Sequence, residues 1–383
     1  MAYSIAVDIG GTFTDIVLRA PDGALVIDKT LTTPQDLIEG FMRGVSQVLA
    51  KAELTPADVN GFVIHATTVV TNALIERKGR PTALLVTQGF TDLLVIRNEN
   101  RYDVYDTQIE FPEPLVMPEL TFGVTERTLA NGQVLTPPGE DEIERIAAGL
   151  KARDVSAVGV CFLNSFSNPA NERRVAELLA RELPDAFICT SFDVAPVIRE
   201  YPRASTTAVN AYAMPIAQPY LARLDGRLRA GGFAQSPLIM LSSGGVVGAD
   251  VAGRNPVRMI ESGPAAGALA ASYYSEKLGI ERLISFDMGG TTAKASLVRD
   301  GEPTLAPGYY VGGYASGHPV MLPMIDVVEV GAGGGSIAWI DEIGALKVGP
   351  HSAGADPGPI CYGGGGAAPT ITDANVVLGR LDP

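Results

Sequence analysis

The 383-residue sequence has few of the residues that build metal centres and disulfide frameworks. It contains three cysteines, three histidines and one tryptophan, and Cys161, Cys189 and Cys361 are far apart. An odd number of isolated cysteines argues against a disulfide framework and suits thiols kept reduced in a cytoplasm. His318 and His351 have no neighbouring cysteine or histidine at zinc-ligand spacing, so the sequence does not favour a transition-metal site.

Long hydrophobic runs and excess positive charge are also missing. No apolar run approaches the length of a membrane span, and the chain reaches Asp8 without a basic leader. We therefore expect a cytoplasmic protein without a signal peptide. The 29 basic and 43 acidic residues give a formal net charge of −14. This charge opposes binding to nucleic acid or to an anionic membrane, so any bound anion must be held locally by backbone N–H groups and a metal ion.

Two common catalytic signatures do not occur. The sequence has no Gly-x-Ser-x-Gly nucleophile elbow, which leaves a serine hydrolase with little support. It also has no Gly-x-x-x-x-Gly-Lys-Ser/Thr loop, so binding of a nucleoside triphosphate needs a different phosphate-binding element. With 46% hydrophobic and 19% charged residues, the composition is typical of a globular α/β protein.

The sequence does contain a short motif that occurs twice, with its two aspartates 279 residues apart. In residues 5–12 and again in residues 284–291, an apolar strand ends in Asp and enters a Gly-Gly-Thr turn. A second apolar stretch and a turn containing Asp-Gly follow each copy, so the repeat predicts two β-hairpins. A Gly-Gly turn lets backbone N–H groups approach an anion because no Cβ blocks the approach.

We therefore predict that the two hairpins bind a triphosphate between them. Asp8 and Asp287 end the first strands and are the candidate Mg²⁺ ligands and catalytic residues. The candidate phosphate ligands are Gly10, Gly11, Thr12, Thr14 and Asp15 in the first hairpin and Gly289, Gly290, Thr291, Thr292 and Lys294 in the second. Two alternatives stay open, because Asp-x-Gly-Gly also forms an ordinary tight turn and Asp15 also fits a local turn cap.

Three further stretches have two interpretations each. His65 ends a predicted strand, where site residues gather in α/β folds, and is a third candidate catalytic residue or a hydrogen-bonded structural histidine. The segment from Ser262 begins a glycine-rich helix that either receives an anion on its N–H groups or packs closely on a neighbour. Arg97, Arg101 and Tyr105 either contact a substrate or partner or form a solvated surface.

Alternating apolar strands and amphipathic helices predict an α/β fold with two units, 1–200 and 201–383, each containing one hairpin. The segment 98–136 interrupts this alternation and is predicted to be an inserted cap or an interface loop. Pro215 and Pro219 are predicted to interrupt a long helical region from Tyr201 to Arg229.

Taken together, these motifs resemble the hydantoinase A component of the hydantoinase/oxoprolinase family. The matching stretches cover nearly the whole chain and are residues 7–15, 67–73, 199–203, 262–265, 287–292, 331–337 and 352–359. The resemblance implies a fold similar to the actin, sugar-kinase and heat-shock ATPase superfamily, in which two lobes close on ATP through two phosphate hairpins. It also implies that the chain corresponds to an N-terminal portion, since family members usually continue past this endpoint. Lys294 departs from many family members, which carry Asp there, and either pairs with a phosphate or takes over the structural role of that carboxylate.

The resemblance further implies ATP-dependent hydrolysis of a cyclic amide of the hydantoin, oxoproline or lactam type. ATP and Mg²⁺ are the implied cofactors, and the hydantoinase B component of the family is the implied partner in a hetero-oligomer. One alternative is a carboxylase component that activates bicarbonate at the same nucleotide site. Another is a noncatalytic module that retains the fold and binds the hydantoinase B partner.

Overall fold

A computed structural model describes residues 2–98, 103–290, 292–313, 317–354 and 356–382; Arg101 and Thr291 lie outside these ranges. The strands are β1 (Ser4–Ile9), β2 (Phe13–Arg19), β3 (Leu25–Leu31), β4 (Val63–Thr67), β5 (Thr82–Thr87), β6 (Thr121–Val124), β7 (Arg127–Thr128), β8 (Val134–Thr136), β9 (Ala157–Cys161), β10 (Phe187–Thr190), β11 (Leu238–Met240), β12 (Val246–Gly248), β13 (Arg282–Met288), β14 (Ala293–Arg299), β15 (Glu302–Pro303), β16 (Leu305–Ala306), β17 (Tyr309–Val311), β18 (His318–Val320), β19 (Met324–Ile325), β20 (Val328–Val330), β21 (Ser336–Ile340) and β22 (Leu346–Ser352). The α-helices are α1 (Leu37–Lys51), α2 (Val69–Ile75), α3 (Leu93–Ile96), α4 (Glu140–Lys151), α5 (Ala170–Glu182), α6 (Ser191–Val194), α7 (Glu200–Ala230), α8 (Ala249–Arg254), α9 (Ser262–Leu278) and α10 (Ile371–Val377).

The first hairpin, β1–β2, forms part of a six-stranded sheet with the order β12-β11-β4-β1-β2-β3. In this sheet β4 is parallel to β1 and β11, and the other neighbours are antiparallel. Alternate residues of β1, Ile5, Val7 and Ile9, are buried in the same core as Phe41 of α1. Because β1 and β4 run parallel, the end of β1 that carries Asp8 lies beside the end of β4.

A second sheet is entirely parallel, with the order β10-β9-β5-β6. Its central strands β5 and β9 are runs of buried residues, as expected when helices cover both faces. Strand β6 pairs with β5 and lies within the segment 98–136. The prediction of an inserted cap or interface loop was therefore wrong for Thr121–Val124, which is a strand of the core sheet. Its Thr-Phe-Gly-Val sequence is too short and too mixed to be distinguished from a loop by pattern alone.

Helix α7 runs unbroken from Glu200 to Ala230 with Pro215 and Pro219 inside it, so the predicted interruption was wrong. Each proline removes a backbone N–H donor and disfavours a helix interior. The helix packs against α1, α2 and α8 and against strands of the parallel sheet, and 19 of its residues are buried. Residues 201–214 are buried on all sides, and from Pro215 onward one face of the helix is buried. This burial offsets the local cost of the prolines, which a propensity argument does not include.

The second hairpin, β13–β14, lies in a separate sheet with β15 and β20. Helix α9 packs on this sheet. Ile284, Phe286 and Leu297 are exposed on one face of it, where Ile284 and Leu297 are directly paired and Phe286 pairs with Ala295. The remaining chain forms short strand pairs and the glycine-rich loops that follow the hairpin.

The division of the chain at residue 200 stays a prediction, but the first sheet is not confined to one side of it. Strands β11 and β12, which follow α7 in the chain, extend the sheet from β4 of the first 200 residues. Among the helices of the described ranges, none combines the length and apolar character that a bilayer-spanning helix requires.

Candidate functional site

The first hairpin carries two opposed carboxylates. Its turn is closed by the Gly10 N–H, which donates to the Phe13 carbonyl at 2.9 Å. Asp8 and Asp15 are directly paired across β1 and β2. The Lys29 ammonium lies 3.2 Å from one Asp15 carboxylate oxygen and partly balances that charge. Directly opposed like charges destabilise a hairpin. The stability of the turn therefore does not account for the presence of both Asp8 and Asp15.

The threonines of this hairpin differ in their access to a ligand. The Thr14 hydroxyl is 3.2 Å from the Thr32 hydroxyl, and Thr32 donates to the Gly10 carbonyl at 2.9 Å. Thr14 is 1% exposed, so the geometry favours a role in bracing the turn from within over phosphate contact. Gly11 is exposed at the tip of the turn.

The second hairpin has the equivalent closing hydrogen bond, and a loop covers its turn. The Gly289 N–H donates to the Thr292 carbonyl at 3.0 Å, as Gly10 does to Phe13 in the first copy. Residues 331–336 pass over the turn, where the Gly334 N–H donates to the Gly289 carbonyl at 2.9 Å and the Gly335 N–H to the Gly290 carbonyl at 2.6 Å. A Cβ on Gly335 would lie 2.8 Å from that carbonyl oxygen, so a side chain there would push the loop away.

Three charged side chains form a row across this sheet. Asp287, Lys294 and Glu329 are paired in register on β13, β14 and β20. The Lys294 ammonium also lies 2.5 Å from a carboxylate oxygen of Glu261, which precedes α9. Both side chains of this ion pair are largely buried, with 15% and 6% of their surfaces exposed. The pair therefore links the second hairpin to the beginning of α9.

The two hairpins meet at their turns. A Cβ on Gly290 would stand 2.3 Å from the Thr12 hydroxyl oxygen and 3.2 Å from the Thr12 Cβ. Thr12 is buried at this junction. Two turns whose aspartates are 279 residues apart in sequence thus share one small region.

The position of Asp8 at this junction shifts its pKa. Burial, followed by the carboxylates of Asp15 and Asp287, raises the pKa of Asp8 to about 6, and Lys294 opposes the shift. Desolvation disfavours a lone carboxylate charge, and two further negative charges add to that cost. A cation placed between Asp8 and Asp287 would relieve both effects.

Helix α9 begins beside Asp8. A Cβ on Gly263 would lie 3.1 Å from an Asp8 carboxylate oxygen, so glycine permits this close approach. Glu261 has a left-handed backbone conformation with φ 58°, and its N–H donates to the Thr71 hydroxyl at 3.3 Å. Sequence reasoning missed Glu261; the only available signal was a charged residue next to a glycine-rich helix start. The close approach of Gly263 to Asp8 favours close packing, one of the two interpretations of this helix start.

His65 lies inside the protein and faces no cleft. It is 0% exposed, with Nδ1 3.2 Å from the Val7 carbonyl oxygen and Nε2 2.8 Å from the Tyr220 hydroxyl. Because a carbonyl only accepts, Nδ1 carries the proton and Nε2 accepts from Tyr220. Burial lowers the pKa of His65 to about 4, so the ring is neutral at physiological pH. The geometry favours the structural interpretation of His65 over the catalytic one.

The carboxylates at the junction suit Mg²⁺ better than a transition metal. Within the described ranges, no three His, Cys, Asp or Glu side chains are grouped as a metal site. Mg²⁺ usually takes one or two carboxylates and completes its shell with water and phosphate oxygens. Asp8, with its raised pKa, and the exposed Asp287 provide that kind of donor set.

Comparison with known proteins finds relatives that match the whole chain. The chain is 42% identical over 393 residues to an uncharacterized protein of Methanocaldococcus jannaschii, covering 100% of the chain and 57% of that relative. It is 37% identical over 384 residues to the alpha component of caprolactamase from Pseudomonas jessenii, covering 99% of the chain and 55% of the relative. The chain thus spans little more than half the length of these curated relatives.

Solved structures show the same mixed α/β fold. The ATP-dependent caprolactamase from Pseudomonas jessenii matches with a TM-score of 0.84 at 37% identity, over 100% of this chain and 55% of that one. A nucleotide-free acetone carboxylase structure, from work on ATP-dependent acetone carboxylation, matches with a TM-score of 0.83 at 29% identity, over 99% of this chain and 55% of that one.

Two family models match the sequence itself. The model for the hydantoinase/oxoprolinase N-terminal region covers residues 4–183, and the hydantoinase/oxoprolinase model covers residues 203–383. These matches include both hairpins and the helix start beside Asp8. Since the two models together account for nearly all of its residues, the chain belongs to the hydantoinase/oxoprolinase family.

Proposed function

We propose that this chain is the ATP-binding part of an enzyme that hydrolyses a cyclic amide of the hydantoin, oxoproline or lactam type. The observation that carries the proposal is the contact between the two hairpin turns, with Gly290 against Thr12 and Asp8 close by. Two glycine turns at one junction offer backbone N–H groups to a polyphosphate from two sides. The similarity to a caprolactamase that is ATP-dependent supports ATP as the bound nucleotide.

In this proposal the first sheet and the sheet of the second hairpin belong to the two lobes of an actin-like ATPase fold. Gly11 and Gly290 hold the phosphates through their N–H groups, and Gly10 and Gly289 close the two turns that present them. Lys294 lies next to Asp287 across the second hairpin and keeps its ion pair with Glu261. Asp8 and Asp287 hold Mg²⁺ directly or through its water shell. The metal ion would neutralise charge on the phosphate oxygens during phosphoryl transfer.

The chemistry follows from the low reactivity of amides. The amide oxygen attacks the terminal phosphorus of ATP, the bond to the bridging oxygen breaks, and ADP leaves with the electron pair. Water then adds to the activated carbon, and the ring C–N bond breaks as the nitrogen takes a proton, which leaves an acyl phosphate. A second water releases phosphate and the free carboxylate. The sum is one ATP, one cyclic amide and two waters converted to ADP, phosphate and the ring-opened amino acid.

The test has a binding step and a turnover step. Calorimetric titration of ATP·Mg²⁺ into the chain, alone and with the hydantoinase B partner, is expected to show saturable binding that Asp287→Asn weakens. Phosphate release by the complex with that partner is expected to rise when a lactam or hydantoin is added. Binding of ATP without any amide-stimulated phosphate release would reject the amidase assignment.

A second candidate function is ATP-dependent activation of bicarbonate in a carboxylase. The similarity to acetone carboxylase favours it, because that structure matches this chain about as well as the caprolactamase does. The same complex supplied with ¹³C-bicarbonate and a ketone would then form a labelled carboxylate, which mass spectrometry detects. If neither substrate stimulates phosphate release and ATP does not protect the hairpin amides from hydrogen exchange, a noncatalytic module that holds the hydantoinase B partner remains.

A further inference from the structure

A cleft of about 280 Å³ opens beside the first hairpin and adjoins the proposed nucleotide site. One wall is the backbone of Gly10 and Gly11, and another wall is the beginning of α2 with Val69 and Asn72. Leu37 and Ile216 make part of the remaining lining. A site of this size, mostly apolar with a few convergent polar groups, is typical of small-molecule binding.

We propose that this cleft binds the neutral cyclic amide whose carbonyl is to be phosphorylated. The inference rests on the proposed function, because it places the acceptor against the same Gly10-Gly11 turn that holds the triphosphate. A group bound on one side of this thin turn is close to a phosphate bound at its tip. The stretch Thr67 to Ala73, which was recognised in the sequence only as a family motif, thereby gains a specific role.

Asn72 is the residue suited to recognise the amide. Its side-chain N–H donates to the Thr68 hydroxyl at 3.2 Å, which fixes the orientation of the carboxamide. The second N–H and the carbonyl oxygen then remain for a ligand, and Asn72 is exposed at the cleft. One donor beside one acceptor matches the C=O and N–H of a cis amide, which is the arrangement that a small lactam ring enforces.

The charges at the cleft favour a neutral ligand over bicarbonate. Among its described lining residues the ionic side chains are Glu76 and Lys78, and these pair with each other at 2.5 Å. The cleft therefore has no uncompensated cation for a bicarbonate ion, whereas Val69, Leu37 and Ile216 suit the methylene groups of a ring.

The test replaces Asn72 and separates binding from turnover. Asn72→Asp keeps the size of the side chain and removes both donors. In the complex with the hydantoinase B partner, this variant is expected to raise KM for an unsubstituted lactam about tenfold, the effect of losing one to two hydrogen bonds, while the Kd for ATP·Mg²⁺ stays within about twofold. Asn60→Asp is the matched control, because Asn60 accepts from the Tyr3 N–H at the far end of β1.

Saturation-transfer NMR measures direct binding of the lactam to the chain. This measurement distinguishes failure of the cleft assignment from failure of the proposed function. If Asn72→Asp shows amide-stimulated phosphate release with an unchanged KM, the cleft is not the amide site. The proposed function is left intact by that result. Lactam binding that depends on Asn72, without phosphate release, supports the cleft and rejects the amidase assignment. Lactam binding that is equal in the wild type and in Asn72→Asp overturns the inference, as does the absence of both binding and turnover.

Discussion

Gly290 of the second hairpin packs against the Thr12 side chain of the first, and there is no room for a Cβ between them. This contact fixes how closely the two turns approach each other. We therefore expect alanine to be tolerated less well at Gly290 than at Gly289. At Gly289 the nearest atom to an added Cβ is the Thr292 carbonyl oxygen, at 3.6 Å.

Gly290→Ala is expected to lower the free energy of unfolding by about 1–3 kcal/mol, because a methyl group must displace Thr12 in a packed junction. ATP affinity should fall with it, because the turns move apart. Gly289→Ala serves as the matched control and should change stability by less. Chemical denaturation and calorimetry measure both quantities. Restoration of stability in Gly290→Ala combined with Thr12→Ala would identify the clash as the cause; equal effects of the two glycine variants would contradict it.

Asp8 is expected to make the ligand-free protein less stable as the pH rises. Because its pKa is raised to about 6 in the folded state from 3.8, the contribution of the protonated form is complete below 3.8 and is lost as the pH rises through 6. Asp8→Asn should therefore be more stable than the wild type at pH 7 by up to about 3 kcal/mol, with little difference near the unfolded-state pKa of 3.8. Denaturation at several pH values tests this, with Asp185→Asn on the surface as control.

A stabilised Asp8→Asn that no longer binds ATP·Mg²⁺ would indicate that the carboxylate is retained for function at a cost in stability. A variant with the same pH dependence of stability as the wild type would show that Asp8 is not the titrating group.

The buried ion pair between Lys294 and Glu261 should behave differently from an exposed pair. Lys294→Met leaves the Glu261 carboxylate buried without its partner, at an expected cost of about 3–5 kcal/mol. The double variant Lys294→Met/Glu261→Gln should recover more than half of that loss. In the exposed pair Arg254 and Asp250, Arg254→Met should cost less than about 1 kcal/mol. Additive effects at positions 261 and 294 would contradict direct coupling.

His65 is expected to remain neutral over the whole physiological range. Its ring resonance in the NMR spectrum, assigned by its disappearance in His65→Gln, should not shift between about pH 5.5 and 8, since burial lowers the pKa to about 4. The stabilising contribution of the neutral His65 ring is present above pH 6.5 and is lost as the pH falls towards 4. The loss occurs because His65 takes up a proton in the unfolded state at a higher pH than in the folded state. A titration midpoint near 6.5 would mean that the ring is accessible to water and would restore the catalytic interpretation.

Much of the site could be found from local sequence. The two hairpins follow from apolar strands that end in Asp and enter Gly-Gly turns, because strand alternation and turn chemistry act over a few residues. The sequence did not reveal that the Thr14 hydroxyl is bonded inside the turn or that Glu261 pairs with Lys294. These contacts join residues that are separated in the chain, and no local pattern contains them.

In the fold, too, some elements follow from local sequence and others depend on contacts between distant segments. Most helices and strands were predictable from period and composition, whereas Thr121–Val124 as a core strand and the unbroken helix through Pro215 and Pro219 were not. In both cases the deciding energy comes from burial against other elements, which overrides a weak or unfavourable local preference.

The sequence by itself determined that this protein has two hairpins with Asp-x-Gly-Gly turns and belongs to one family, because short contiguous motifs carry both facts. Only the tertiary structure decided that the two turns meet at Gly290 and Thr12, that Asp8 is partly buried close to other charged groups, and that His65 is enclosed. Distance and burial depend on how the whole chain packs, and packing sums many weak contacts between segments that are far apart in sequence.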